Sequence, residues 1–389
     1  MSDPTGRRPV PRPRLGLGAL GLVALLAGLW AALLLLGLHV PTPRPDFAEI
    51  HGPLMVLGFL GTLIALERAV AVDVRAGYLA PAAAGVGGLA LVLGLPLAVG
   101  QVLLTVGGLG LVGLYAGAAR RQSAFHLGVM AAGALAWVVA ATLWLAGWDV
   151  ARLVPWLAGF LVLTITGERL ELSRLVGLTR RSRVAFAAAA GVFAAGMATS
   201  LFSVGSGVRL AGVGLLALAG WLAVYDVARR TVRQSGLTRY MAVCLLTGYV
   251  WLAVAGGLWL GFGTLGDGPA YDAMLHALFL GFVIAMVFAH APVIVPAVFG
   301  ATVPYRTHFY GPLALLQASL LLRVAGGDLL GSQVAWQVGG VLNEVALLCF
   351  LAVTIHAVRT GRRHAATPTF PRPQRRDLEP GTVPKGAHP

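Results

Sequence analysis

The stretch HGPLMVLGFLGTLIALER, residues 51–68, opens on a histidine, stays free of acidic and basic residues until Glu67, and closes on a Glu–Arg pair. At about 1.5 Å rise per residue, an apolar run of this kind is long enough to cross a hydrocarbon layer of about 30 Å as one helix. Working outward, comparable runs divided by Arg, Pro, Asp or Gly fall near 15–39, 51–71, 78–97, 99–119, 125–147, 153–167, 184–204, 208–227, 240–262, 272–299, 308–326 and 333–357. The composition agrees with lipid as the solvent: 58% of the 389 residues are hydrophobic and 11% charged, with a mean hydropathy of +0.81. The reading is an all-α integral membrane fold of about twelve transmembrane helices over 15–358, between a basic amino terminus (1–14) and a basic tail (359–389). The run from Leu15 to Val40 is too long for the core of a cleavable signal, so it is read as a retained first helix. The Arg/Pro/Thr-rich tail lacks the apolar content to fold alone and is read as disordered.

The formal charge of +14 is not a nucleic-acid footprint, because the arginines lie in short clusters between apolar runs. They follow the positive-inside rule instead. With both termini cytoplasmic, Arg68, Arg75, Arg120, Arg121, Arg169, Arg174, Arg180, Arg181, Arg183, Arg229, Arg230, Arg233, Arg239 and Arg306 fall inside, and only Arg44, Arg152, Arg209 and Arg323 outside. A missed span in mid-chain would reverse every later loop. The expected location is thus a bacterial-type inner membrane. Two distant cysteines, Cys244 and Cys349, provide no disulfide framework, iron–sulfur cluster or covalent haem attachment.

The second and sixth spans repeat one another. Phe59-Leu-Gly-Thr-Leu-Ile-Ala-Leu-Glu67-Arg68 matches Phe160-Leu-Val-Leu-Thr-Ile-Thr-Gly-Glu168-Arg169, and Phe282-Val-Ile-Ala-Met-Val-Phe-Ala-His290 in the tenth span is a weaker third copy. A period of four helices predicts three four-helix units around a pseudo-threefold axis.

Two spans carry a histidine near the outer end. In the second, His51, Met55 and Gly58 lie one to two turns apart on one helical face, offering a ligand, a soft thioether and a gap. In the tenth, His276 precedes Gly281. A haem needs axial ligands from opposite sides of its plane, neutral imidazole is a usual one, and small residues let the macrocycle lie between helices. His51 and His276, with Met55, are therefore the candidate cofactor ligands; the plainer alternative is that each histidine only hydrogen-bonds water or a loop carbonyl at the interface. His290, roughly 21 Å deeper along the helix, cannot share their metal. It groups with Glu67 and Glu168 as a set able to relay protons or hold a metal, with His308 and His126 opening the eleventh and fifth spans on the same side. The alternative pairs Glu67 with Arg68 or Arg75, and Glu168 with Arg169 or Arg174, at the headgroups. Trp137, Trp144, Trp148, Trp156, Trp251 and Trp259 read as interfacial belts, and Pro292 and Pro296 as a kink or end of the tenth helix. His39 lies in an outer loop, where it could contact an external ligand.

His51-Gly-Pro-Leu-Met-Val-Leu-Gly-Phe, Leu275-His276-Ala-Leu with Gly281, twelve spans and a four-helix period resemble the NnrS family and, more distantly, subunit I of haem–copper oxidases and nitric oxide reductases. The resemblance covers the chain in topology and rests on two short motifs in sequence. It implies low-spin haem ligation at His51 and His276, an association with haem and copper, and a role in the response to nitric oxide. It departs from the oxidases in having no histidine from Leu127 to Leu275 and no close histidine pair on the tenth span. A binuclear oxygen-reducing centre is thereby excluded, and one haem serving binding, sensing or electron transfer is the largest claim. No residue is assigned a catalytic role. The expected partners are the lipid bilayer and a small diatomic ligand or redox partner. Two other classes compete: a secondary transporter, usually two six-helix halves with helices broken near the midplane, and a cofactor-free scaffold or assembly factor.

Overall fold

A computed structural model describes residues 12–174, 177–264 and 266–366, and every regular element among them is helical. Among the described residues, twelve helices are long and apolar enough to cross a membrane: α1 (Pro13–Leu35), α2 (Phe47–Val72), α3 (Arg75–Val92), α4 (Leu97–Arg121), α5 (Phe125–Leu145), α6 (Val150–Ser173), α7 (Arg180–Thr199), α8 (Val204–Tyr225), α9 (Gly236–Phe262), α10 (Gly268–Phe299), α11 (Thr307–Leu329) and α12 (Gln333–Gly361). The chain is a multi-pass helical protein of the kind that lipid permits, since a helix satisfies its own backbone polar groups where no water can. Its connections are short. The α9 and α10 helices stop at Gly263 and Gly300, whose φ of +62° and +61° is the left-handed cap that glycine adopts without a Cβ penalty.

The second, sixth and tenth helices meet one another. Arg68 of α2 pairs with Glu168 of α6, and α10 packs on both α2 and α6. The protein itself covers 78% of the apolar stretch of α6 but only 33% of that of α7, so α6 is central and α7 peripheral. The repeated Phe-Leu…Glu-Arg pattern therefore belongs to helices that face protein, which is why its polar ends survive in an apolar chain.

Several sequence expectations change. Pro292 and Pro296 do not end α10, which continues through both to Phe299. Trp137 and Trp259 are fully buried rather than interfacial; Trp137 fills the space beside Gly61 and Gly108, and Trp259 donates to the Met274 carbonyl. Arg323 is not an outer-loop arginine but a buried residue of α11. The last helix extends to Ala366, beyond the tail boundary read at 359; residues 1–11 and the rest of the tail lie outside the described residues.

Three helices depart from α geometry. The segments Leu54–Leu60 of α2, Ala277–Ile284 of α10 and Leu322–Leu329 of α11 are π-helical. Such wide turns are rare and concentrate at functional sites. All three contribute walls to one cavity.

Candidate functional site

That cavity, of about 690 Å³, lies at the end of the bundle away from the arginine-rich loops, among α1, α2, α6, α10, α11 and α12. Its walls are mostly apolar, with Leu29, Val154, Leu157, Phe279 and Leu347 among them. His51, Met55 and His276 all line it. Each histidine sits immediately before or within a turn of a π segment, so the widened turn and the imidazole come together in both helices.

Both rings are held by one nitrogen. His51 Nδ1 lies 2.8 Å from the Gly28 carbonyl oxygen of α1, and His276 Nδ1 lies 2.8 Å from the Asp272 carbonyl oxygen one turn earlier. A carbonyl only accepts, so each Nδ1 carries a proton, the arrangement by which proteins orient imidazole ligands, and His276 Nδ1 also lies 3.2 Å from Asp272 Oδ1. Gly28 has a second role, because a Cβ there would stand 2.7 Å from the Met55 sulfur. The bare α1 backbone thus anchors His51 and admits Met55. The glycines expected to open a slot for a cofactor do something else: Gly58 packs against Ala24 and Gly88, and Gly281 against Trp251. They bring helices together and line no part of the cavity.

The far wall is polar, and sequence reasoning missed it. Arg323 makes a two-pronged ion pair with Asp272, Nε–Oδ2 at 2.9 Å and Nη2–Oδ1 at 2.8 Å, and Trp336 Nε1 donates to the same carboxylate at 3.1 Å. Asp328 faces Asp272 and Arg323, and Glu344 faces Arg323. Both oxygens of Asp328 and Oε1 of Glu344 are buried with no donor, and Asn343, whose Oδ1 accepts from Ser319 at 2.6 Å, has no acceptor for Nδ2. One guanidinium thus faces three carboxylates, and the unmatched polar atoms are chiefly acceptors. The available signal was the presence of ionisable residues within apolar spans, but which of them face one space depends on helix rotation. Since neither Asp328 oxygen has a hydrogen-bond donor among the described residues, Asp328→Asn should leave stability unchanged or raise it by up to about 1 kcal/mol by removing an acidic group beside Asp272. Arg323→Gln, which strands Asp272, should lower the thermal midpoint clearly in the same detergent.

At the arginine-rich end the acidic and basic residues pair across helices, contrary to the local pairing expected. Arg68 Nη2 reaches Glu168 Oε1 at 2.6 Å, and Arg169 makes a two-pronged pair with Asp226 beyond α8, Nε–Oδ2 at 2.8 Å and Nη2–Oδ1 at 2.9 Å. His290 Nδ1 lies 2.7 Å from the Met286 carbonyl oxygen, and its ring is an electrostatic neighbour of Arg169, Glu168 and Asp226. Glu67 neighbours Glu168 and Arg68. The three members of the repeat do share one region. Among the described residues, however, no group of three or more His, Cys, Asp or Glu is arranged to hold a metal ion. His126 stands 3.5 Å from Glu171, while His39 and His308 are exposed.

No curated protein and no solved structure matches the chain. With twelve membrane-length helices running from residue 13 to residue 361, and a match over residues 14–359, the chain belongs to the family described as Domain of unknown function (DUF8744).

Proposed function

We propose that the protein binds one haem in the cavity between α2 and α10, with His51 and His276 as axial ligands, in an NnrS-like role in nitric oxide response or electron transfer. The observation that carries this reading is the pair of imidazoles on one cavity of about 690 Å³, each fixed through Nδ1 to a backbone carbonyl. The residues present fit the group: two imidazoles, the polarisable sulfur of Met55 and apolar walls suit an iron porphyrin. His51 and His276 would hold the haem, which when bound would supply one-electron chemistry and affinity for a small diatomic molecule such as nitric oxide. The Gly28 and Asp272 carbonyls fix the tautomer and aim of the rings, and the apolar walls limit water. On this reading the arginine-rich loops lie on the cytoplasmic side of a bacterial-type inner membrane, and the cavity lies toward the outer side.

A second reading, a transporter for a donor-rich or cationic solute, is favoured by one specific observation: the unpartnered Asp328 and Glu344 on a cavity walled by three π-interrupted helices. A spectrum of the detergent-purified protein, oxidised and then dithionite-reduced, with a pyridine haemochrome assay, separates them. A Soret band with sharp reduced α and β bands at near one haem per chain is expected. A colourless protein from haem-replete cells would remove the haem reading and leave solute transport to be assayed.

A further inference from the structure

The second cavity, at the opposite end of the bundle, is independent of the haem reading. It measures about 600 Å³ and is lined by Thr179, Ser182, Asp226, Arg229, Arg230 and Arg233, together with neighbouring backbone. Three arginines enter it from the connection between α8 and α9, two of them on the short helix Ala228–Thr231.

The connection is fixed from below by Asp226. Its Oδ1 accepts from the Ala228 backbone N–H at 2.7 Å and from Arg169 Nη2, and its Oδ2 accepts from Arg169 Nε and, at 3.4 Å, from Ser173. Asp226 is 3% exposed and its charge is cancelled by Arg169, so it does not neutralise the arginines above it. Arg229 gives one N–H to the Val224 carbonyl at 2.8 Å, whereas Arg230 and Arg233 make no ion pair or hydrogen bond among the described residues. On the facing wall, α7 begins at Arg180 behind the Thr179 cap and presents the positive end of its 20-residue helix dipole. Trp221 Nε1, donating to the Ser182 carbonyl at 2.7 Å, ties α8 to that first turn.

Arg229, Arg230 and Arg233 are exposed to solvent at this cavity, and three guanidinium groups that share one space with no carboxylate partner among the described residues favour an anion. Guanidinium matches phosphate oxygens in a two-pronged geometry, and basic pockets between membrane helices take phosphorylated head groups. We infer that this cavity is a binding site for a phosphate-bearing anion, supplied either by an anionic lipid head group or by a soluble phosphate compound, with Arg230 and Arg233 as its principal contacts. A diffuse attraction between a basic face and anionic lipid would need no cavity. The two differ in what the loss of particular arginines does.

The test uses the full chain in phosphatidylcholine nanodiscs, titrated with phosphatidylglycerol or cardiolipin in one arm and with inorganic phosphate in the other, read by native mass spectrometry and thermal midpoint. R230Q/R233Q should weaken anion binding about fivefold per arginine, roughly 30-fold for the pair. R120Q/R121Q removes two exposed arginines at the same end but outside the cavity, and should change binding less than about twofold. Saturable binding of the lipid alone would assign the site to a head group, and protection by inorganic phosphate would assign it to a soluble ligand. Either supports the inference. Equal weakening by the two double variants, or no saturable binding in either arm, would overturn it.

Discussion

If haem is bound as proposed, His51→Ala and His276→Ala should each reduce the haem retained by the purified protein by more than about a hundredfold, since loss of an outer-shell contact alone costs about 10–100-fold in metal affinity. The two rings line one cavity, and each is anchored to backbone by Nδ1, so neither can shift to take over the other's position. His126→Ala is the matched control: His126 is buried against Glu171 at the start of α5 and lines no part of the cavity. It should leave the Soret absorbance of the preparation unchanged. Comparable loss in all three variants, with reduced yield of inserted protein, would point to general misfolding and remove the support for axial ligation. Retention of full haem by either cavity variant would exclude that residue as a ligand.

The largest effect on stability is expected at Asp226. Arg169 is 2% exposed, and its single charge gives two hydrogen bonds to Asp226. Asp226→Ala leaves a buried guanidinium uncompensated, at about 3–5 kcal/mol, and also strips the Ala228 N–H of its acceptor. Replacing the pair together, Arg169→Met with Asp226→Leu, should recover most of that loss, because apolar residues of similar volume often substitute for a buried ion pair at little cost. Thermal midpoints of Arg169→Met, Asp226→Leu and the double variant in one detergent form the cycle. Additive losses would show that the pair is not the source.

The membrane fold was legible because lipid leaves so few solutions: charge-free runs of spanning length and the sidedness of arginine are set by solvation and not by detailed packing. That His51, Met55 and His276 line one cavity accords with their standing out near the ends of apolar runs, where a polar or soft atom is conspicuous. Their polar counterparts across the cavity did not stand out. Asp272, Arg323, Asp328 and Glu344 come from α10, α11 and α12, and only the rotation of each helix brings them to a common space. The pairing at the other end failed for a related reason. Arg68 and Glu168 are adjacent to acceptable partners in sequence, yet the contact between α2 and α6 at their shared end makes the cross-helix pair at 2.6 Å. Gly58 and Gly281 were assigned to a cofactor slot by counting turns of a regular helix, a count that the π segments invalidate.

Those segments have a further consequence. A turn closed from residue i to i+5 contains about one residue more than an α turn, and one residue corresponds to about 100° of rotation in a regular helix. The widened turn in Leu54–Leu60 therefore acts as a phase shifter between the two ends of α2, setting the bearing of His51 and Met55 independently of the bearing of Glu67 and Arg68. The same holds in α10, where Ala277–Ile284 separates His276 from His290. In both helices the histidine-bearing first half is turned to the cavity while the far end stays beside the ion pairs of α6, so the two halves of each helix can be refitted separately by gaining or losing a single residue.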